Sequence, residues 1–174
     1  MRIRSAITSD APGLAIVGVD TWRNTYRGIM ADEYLDNLSY ERSETGWRER
    51  VADDRCFTYV AEDDSGSIVG YAHAGSERDG NPVYPGELYA LYVQKESQGT
   101  GIGKELVRVV AERFVKNGIK SMIIWVLAAN PSRGFYERLG GQMLKTKTVG
   151  IGGRQLEEIA YGWTMLDDCV SESY

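Results

Sequence analysis

The stretch from residue 87 to residue 127 limits most strongly how this chain can fold. Residues 87–93 are apolar and rich in strand-forming side chains, and a glycine-rich segment follows at 98–103. Residues 102–115 carry apolar side chains at helical spacing, and residues 121–127 are almost continuously apolar. Two strands joined through a helix lie parallel, with a right-handed crossover. The stretch therefore predicts a parallel pair of strands.

The rest of the chain predicts antiparallel strands on either side of this pair. Residues 56–61 and 67–74 flank a turn at 63–66, and segments near 142–149 and 156–165 flank a glycine turn. Residues 3–7 form a short first strand, and helices are predicted at 11–22, 32–38, 43–51 and 130–139, with a loop at 25–30. The fold class is α/β (α+β): a mixed, mostly antiparallel seven-stranded sheet with about four flanking helices.

Composition excludes several classes of protein. The length of 174 residues fits one domain, 1–174, and the net charge of −5 argues against nucleic-acid binding. Two isolated cysteines, Cys56 and Cys169, and the lone His73 predict neither a disulfide framework nor a metal site. No apolar run reaches the roughly 20 residues of a membrane span, and the first residues lack the apolar core of a signal peptide. We expect a cytoplasmic protein that does not bind membranes.

The glycine-rich segment predicts an anion site. Glycines before a helix let the backbone approach a ligand, and the helix start offers unpaired N–H groups and a positive dipole end. A P-loop needs glycines five apart and then Lys and Ser or Thr, but Gly99 and Gly103 are four apart and Glu105 follows Lys104. A GxGxxG fingerprint is also absent. These residues alone are also compatible with a glycine-rich turn that binds no ligand.

Two motifs resemble those of the GNAT superfamily of N-acetyltransferases. Gln98-x-x-Gly101-x-Gly103 matches the superfamily's (Gln/Arg)-x-x-Gly-x-(Gly/Ala) signature, and the segment from Asn130 to Gly140 is similar to its second motif. The order of elements also matches over essentially the whole chain. The resemblance implies acetyl-CoA as cosubstrate, no metal, and a cleft where strands 87–93 and 121–127 splay apart.

The resemblance also implies which residues bind the cofactor. The pyrophosphate lies on backbone N–H groups of the glycine loop: Gln98, Gly99, Thr100, Gly101, Ile102, Gly103 and Lys104. Pantetheine pairs with the strand at Leu91, Tyr92 and Val93, and Asn130 bonds its arm. The Val93 N–H is placed near the thioester oxygen, where it would stabilise a developing oxyanion.

Three groups are candidates for the proton transfers. By resemblance Tyr136 is the acid that protonates the leaving thiolate, and it also contacts the cofactor. The resemblance also makes Glu87 the candidate base, because family members with a glutamate base carry it six residues before the oxyanion donor, which is the spacing of Glu87 and Val93. In a regular strand residues 87, 89, 91 and 93 share a face, which agrees with this role. His73 or water are the alternatives. No motif surrounds either cysteine, so direct attack by the amine in a ternary complex is expected.

The resemblance implies an acceptor site around the first helices, where Trp22, Tyr26 and Tyr34 would form an aromatic wall. We expect a primary amine of a small molecule as acceptor. Acetylation of protein or peptide N-termini and a non-catalytic acetyl-CoA-binding module are the alternatives. Relatives that dimerise through their last strands suggest a homodimer, by resemblance only.

Overall fold

The computed structural model describes residues 1–167, so Cys169 lies outside the described residues. The strands are β1 (Arg2–Ser5), β2 (Cys56–Glu62), β3 (Ile68–Ser76), β4 (Gly86–Val93), β5 (Met122–Leu127), β6 (Gln142–Ile151) and β7 (Arg154–Trp163). The helices are α1 (Ala11–Tyr26), α2 (Asp32–Asp36), α3 (Tyr40–Val51), α4 (Ile102–Lys116) and α5 (Arg133–Arg138). Short 3₁₀ turns precede α1 and follow β4.

The seven strands form one mixed sheet in the order β1-β2-β3-β4-β5-β7-β6. Every pairing is antiparallel except that of β4 with β5, which confirms the predicted fold class and the parallel pair. β4 and β5 are in register only at Gly86 with Met122 and Glu87 with Ile123. The two strands separate beyond these residues, so a cleft opens between their carboxyl ends.

Several helix boundaries differ from the prediction; α3, for example, begins at Tyr40 rather than at residue 43. α1 continues to Tyr26, four residues past the predicted end and into the expected loop, because the residues after Trp22 still pack against the sheet and α2. α5 begins at Arg133 rather than at Asn130, whose side-chain oxygen instead accepts a hydrogen bond from the Ser132 N–H at 2.8 Å. Asn130 therefore closes a turn before the helix. Within residues 1–167, the five α-helices lie at the five segments for which helices were predicted.

The two faces of the sheet have separate cores. On one face, Leu106, Val110 and Phe114 of α4 pack against the central strands. On the other face, α1 and α3 bury Leu14 and Trp47 against the sheet. Because β4 lies between these layers, the side chains it sends to each face define the two sides of the cleft.

A β-bulge in β4 overturns the prediction that residues 87, 89, 91 and 93 share a face. Ala74 of β3 pairs with Leu88 but His73 pairs with Ala90, so Tyr89 is an extra residue that inverts the alternation. Leu91 therefore packs against the core on the α4 side, as Leu88 does. Ala90 packs on the opposite side, with α1 and α3. Glu87 precedes the bulge, so it shares the face of Ala90 rather than that of Leu91.

Within residues 1–167, no helix is long and apolar enough to cross a membrane.

Candidate active site

The opening between β4 and β5 forms a cavity of about 650 Å³. It runs from the glycine loop, past the separated strands, to the aromatic side chains of α1. Its lining contains most of the predicted site residues: Trp22, Tyr26, Leu91, Tyr92, Val93, Gln98, Gly99, Gly101, Gly103, Lys104, Asn130 and Tyr136. The fold therefore brings the two sequence motifs together at one cleft.

The glycine loop has the backbone that the anion-site prediction requires. Gly99 and Gly101 have φ values of +76° and +89°, which L side chains rarely adopt. Gly101 is the N-cap of α4 and makes no side-chain cap, so the first N–H groups of the helix lack intrahelical partners. A Cβ added at Gly99 or Gly101 would meet no atom within 4 Å. The backbone is thus open to a ligand at the positive end of the α4 dipole.

Gln98 ties this loop to the end of β4. Its Nε2 donates a hydrogen bond to the Val93 carbonyl at 3.0 Å, and Thr100 Oγ1 donates to the Ser97 carbonyl at 2.7 Å. These bonds fix the loop relative to the strand beside the cleft. The Gln98 side chain therefore positions the loop, while the loop backbone remains the candidate phosphate-binding surface.

Tyr136 projects from α5 into the cleft and is 6% exposed. Its ring packs on Phe135 and Tyr161, with centroids 5.2 and 6.0 Å away. Burial raises the pKa of the Tyr136 phenol well above its usual value, so the group holds its proton at neutral pH. A protonated hydroxyl in the cleft has the form that an acid requires.

Two of the three predicted wall residues, Trp22 and Tyr26, line the cleft, while Tyr34 packs beside them outside its lining. The Trp22 ring lies 4.8 Å from that of Tyr26 and 6.5 Å from that of Tyr34. The Trp22 Nε1 donates to the Tyr92 hydroxyl at 2.8 Å, and Asn130 Nδ2 donates to the Tyr26 hydroxyl at 3.0 Å. These bonds connect α1 to both splayed strands, so the wall is fixed to the cleft.

Glu87 and His73 lie outside the lining of this cleft. The Glu87 side chain is 2% exposed, and its carboxylate accepts hydrogen bonds from the Arg78 backbone N–H, Nε and Nη2. His73 hydrogen-bonds Thr58 through Nδ1 at 2.9 Å. Burial, with a contribution from the Arg50 charge, lowers the His73 pKa to about 4. The predicted roles of both residues as base therefore stay predictions.

The cleft contains a carboxylate that the sequence analysis missed. Glu158 of β7 lies opposite Leu127 at the end of β5, and its side chain is 20% exposed. Burial raises its pKa, and the nearest cation is Lys147, whose Nζ lies 4.0 Å from Oε2. A signal existed, because adjacent residues Glu157 and Glu158 on one strand must point to opposite faces of the sheet.

Two buried polar atoms in the cleft have no hydrogen-bond partner within residues 1–167. They are the Trp125 indole Nε1 and the Thr21 hydroxyl Oγ1. Buried donors and acceptors are nearly always paired, so such atoms in a cavity indicate a place for polar atoms of a ligand. With the open glycine loop, they show that the residues present fit an elongated molecule carrying phosphates at one end and carbonyl groups along its length. Acetyl-CoA has this form.

Among residues 1–167, no three or more His, Cys, Asp and Glu side chains gather in a group that could hold a metal ion.

Sequence and structure comparisons agree with the geometry of this site. A sequence model of the acetyltransferase (GNAT) family matches residues 19–141. The uncharacterized N-acetyltransferase YuaI of Bacillus subtilis is 36% identical over 161 residues, which are 92% of this chain and 91% of YuaI. An L-methionine sulfoximine/L-methionine sulfone acetyltransferase of Pseudomonas aeruginosa is 28% identical over 81% of this chain and 82% of its own.

Two solved structures share the fold over almost the whole chain. The ribosomal-protein-alanine N-acetyltransferase of Brucella melitensis is 27% identical with a TM-score of 0.73, over 94% of this chain and 99% of its own. The PaiA N-acetyltransferase of Thermoplasma acidophilum, solved in complex with coenzyme A, is 21% identical with a TM-score of 0.70, over 91% of this chain and 96% of its own. The match of the family model over most of the chain and the extent of these similarities establish that the protein is an acetyltransferase of the GNAT family.

Proposed function

We propose that this protein, as one domain over 1–174, transfers the acetyl group of acetyl-CoA to a primary amine of a small molecule within a ternary complex. The observation that carries the proposal is the continuity of the cleft. The glycine loop, the Trp22 and Tyr26 rings of the aromatic wall and Tyr136 all line one cavity. A donor entering from the loop and an acceptor entering from the wall would meet between β4 and β5.

The chain's own groups have separate tasks in this proposal. The backbone N–H groups at the start of α4 bind the pyrophosphate, and the backbone of Leu91, Tyr92 and Val93 orients the pantetheine arm. Acetyl-CoA supplies an acetyl group activated as a thioester. The Val93 N–H donates to the oxygen that gains charge during attack. Tyr136 donates its proton to the departing sulfur, since a phenol is protonated at neutral pH even at its usual pKa of about 10.

The acceptor amine must lose a proton, because an alkyl amine with a pKa of about 10.4 is mostly protonated at neutral pH. Glu87 is the base that the resemblance implies, but Arg78 occupies its carboxylate. Glu158 lines the cleft, and burial raises the pKa of its carboxyl above the usual value, which strengthens its affinity for a proton. We therefore favour Glu158, directly or through water, as the group that receives the proton.

Calorimetric titration of the purified protein with acetyl-CoA, with ATP and NAD as controls, tests the cofactor. We expect binding of acetyl-CoA alone, at micromolar affinity. An amine screen that measures released CoA thiol then tests the acceptor class. If acetyl-CoA binds but no amine in the screen releases thiol above the rate of hydrolysis, the non-catalytic module becomes the leading interpretation.

Acetylation of peptide N-termini is a second candidate, because a relative of 27% identity is a ribosomal-protein-alanine N-acetyltransferase. The same assay separates the two candidates when it includes short peptides with free N-termini beside the small amines. We expect kcat/KM at least about tenfold higher for a small amine than for any peptide, a difference of about 1.4 kcal/mol in transition-state stabilisation. The reverse order would favour the peptide candidate.

A further inference from the structure

A second groove adjoins the acceptor end of the cleft. It has a volume of about 1060 Å³ and lies between α1 and α3 on one side and β3 and β4 on the other. Trp22, Tyr89, Ala90 and Tyr92 line both cavities, so the groove and the cleft meet there. A molecule whose amine lies in the cleft can therefore extend its remaining atoms into the groove.

The groove is positively charged although the chain has a net charge of −5. Within the described residues, its lining contains one carboxylate, that of Asp53, and four guanidinium groups: those of Arg42, Arg50, Arg55 and Arg78. An excess of cations on a wall of low polarity attracts anions to the cavity. The groove is thus suited to an acceptor with a negatively charged group.

Three of the four guanidinium groups already have protein partners. Arg55 pairs with Asp53, and Arg78 pairs with the Glu87 carboxylate. Arg42 donates to the Asn37 carbonyl at 2.8 Å.

Arg50 differs from them, because within residues 1–167 its guanidinium makes neither an ion pair nor a hydrogen bond to a protein group. It lies 5.3 Å from the centre of the Trp47 ring, which also faces the groove. Stacking on an aromatic ring leaves the N–H edge of a guanidinium available for a planar anion. The positive charge of Arg50 also helps to lower the pKa of the buried His73.

We propose that the groove binds a carboxylate of the acceptor at Arg50, while the acceptor's amine lies in the cleft beside Glu158. This inference rests on the proposed function and names its substrate class: small amines that bear a carboxylate several bonds away from the amino group, rather than polyamines, because β4 and β5 lie between the strands beside Arg50 and Glu158. Arginine and a carboxylate form two parallel charge-assisted hydrogen bonds, which suits recognition of this group. A polyamine would place a second cation among the arginines and would be repelled.

The binding part is tested without any reaction, because His73 is the only histidine of the chain and gives one set of imidazole NMR signals. Untagged protein at pH 7 is titrated with succinate, and with succinamide as the neutral control, at constant ionic strength. We expect a saturable shift of the His73 ring signals with succinate only. In Arg50→Gln the apparent affinity falls about tenfold or more. Arg48→Gln is the matched control, since Arg48 lies on the same helix, pairs with Glu44 and does not line the groove.

The carboxylate site is contradicted if the His73 signals do not shift with succinate, shift equally with succinamide, or shift equally in Arg50→Gln. This holds whether or not the protein is active. Phosphate that binds Arg50 at least tenfold more tightly than succinate also overturns it in favour of a phosphorylated acceptor. Kinetics then compare each active amine that bears a carboxylate with its carboxamide. We expect Arg50→Gln to raise KM about tenfold for the acid, with little change in kcat and little effect on the amide. Succinate binding without turnover of any amine would instead contradict the proposed function alone.

Discussion

At the residue scale, the chemistry of the cleft depends on how burial sets the protonation of two side chains. Burial disfavours the charged form of a group, so it raises the pKa of both a phenol and a carboxylate. For Glu158 it strengthens the affinity for a proton, which favours its proposed role as the base. For Tyr136 it keeps the phenol protonated but makes it a weaker acid in its proposed role. The same physical cause therefore favours the proposed base and opposes proton donation by the proposed acid.

Replacing Tyr136 by Phe removes the proposed acid and retains the ring that packs on Phe135. We expect kcat to fall about a hundredfold, within the usual range for a general acid, while acetyl-CoA affinity stays within about twofold. Steady-state kinetics and calorimetry measure the two quantities. Tyr59→Phe is the matched control, because Tyr59 lies outside both cavities. Unchanged kcat in Tyr136→Phe would mean that the thiolate leaves without a proton from this residue.

The carboxylates are distinguished by the dependence of kcat/KM on pH. A base works when ionised, so activity should rise as pH increases through the pKa of Glu158, which lies above its usual 4.5. We expect Glu158→Gln to abolish this rise of activity with pH and to lower kcat/KM about a hundredfold. In Glu87→Gln the rise should remain, while thermal stability falls because hydrogen bonds to Arg78 are lost. The opposite pattern would assign the base to Glu87.

At the element scale, β4 shows what the sequence could and could not predict. Its strand character, the helix after it and the motif spacing were sufficient to predict the parallel pair and the glycine loop. The bulge at Tyr89 was not predictable, because no glycine or proline marks it and its register depends on β3. The bulge decides which face Glu87 occupies. The position of Glu158 in the cleft was not predictable for a similar reason, since it depends on β7 lying next to β5.

The glycine loop yields a prediction that separates backbone strain from ligand binding. Gly101 has φ +89° and open space around it, so Gly101→Glu should strain the backbone by about 1–2 kcal/mol and place a carboxylate near the bound phosphates. We expect acetyl-CoA binding to become undetectable by calorimetry. Gly66→Glu is the control, because Gly66 has φ +83° and open space in the turn between β2 and β3. It should lose similar stability and bind normally. Normal binding by Gly101→Glu would remove the loop from the cofactor site.

At the scale of the whole molecule, the cleft and the arginine-lined groove divide the acceptor site by charge. The acidic end of the site is Glu158 in the cleft, and the basic end is Arg50 in the groove. The net charge of −5 does not reveal this division, because the acidic residues elsewhere in the chain outnumber the arginines of the groove. The order of the elements, which the sequence did predict, determines that these two ends meet at Trp22 and Tyr92. Specificity thus depends on packing between distant segments.

His73 connects this charge arrangement to the stability of the fold. Its pKa is about 4 in the folded protein and about 6.5 when unfolded, so the unfolded chain binds more protons between these values. Stability is therefore full above pH 6.5 and falls as pH decreases towards 4, by at most about 3 kcal/mol. The raised pKa of Glu158 acts in the opposite direction, so the test is a comparison with His73→Asn. Urea unfolding at pH 7.0 and 4.5 should show a smaller loss of stability in the variant than in the native chain. Equal losses would mean that neither burial nor the charge of Arg50 lowers the His73 pKa in the folded protein.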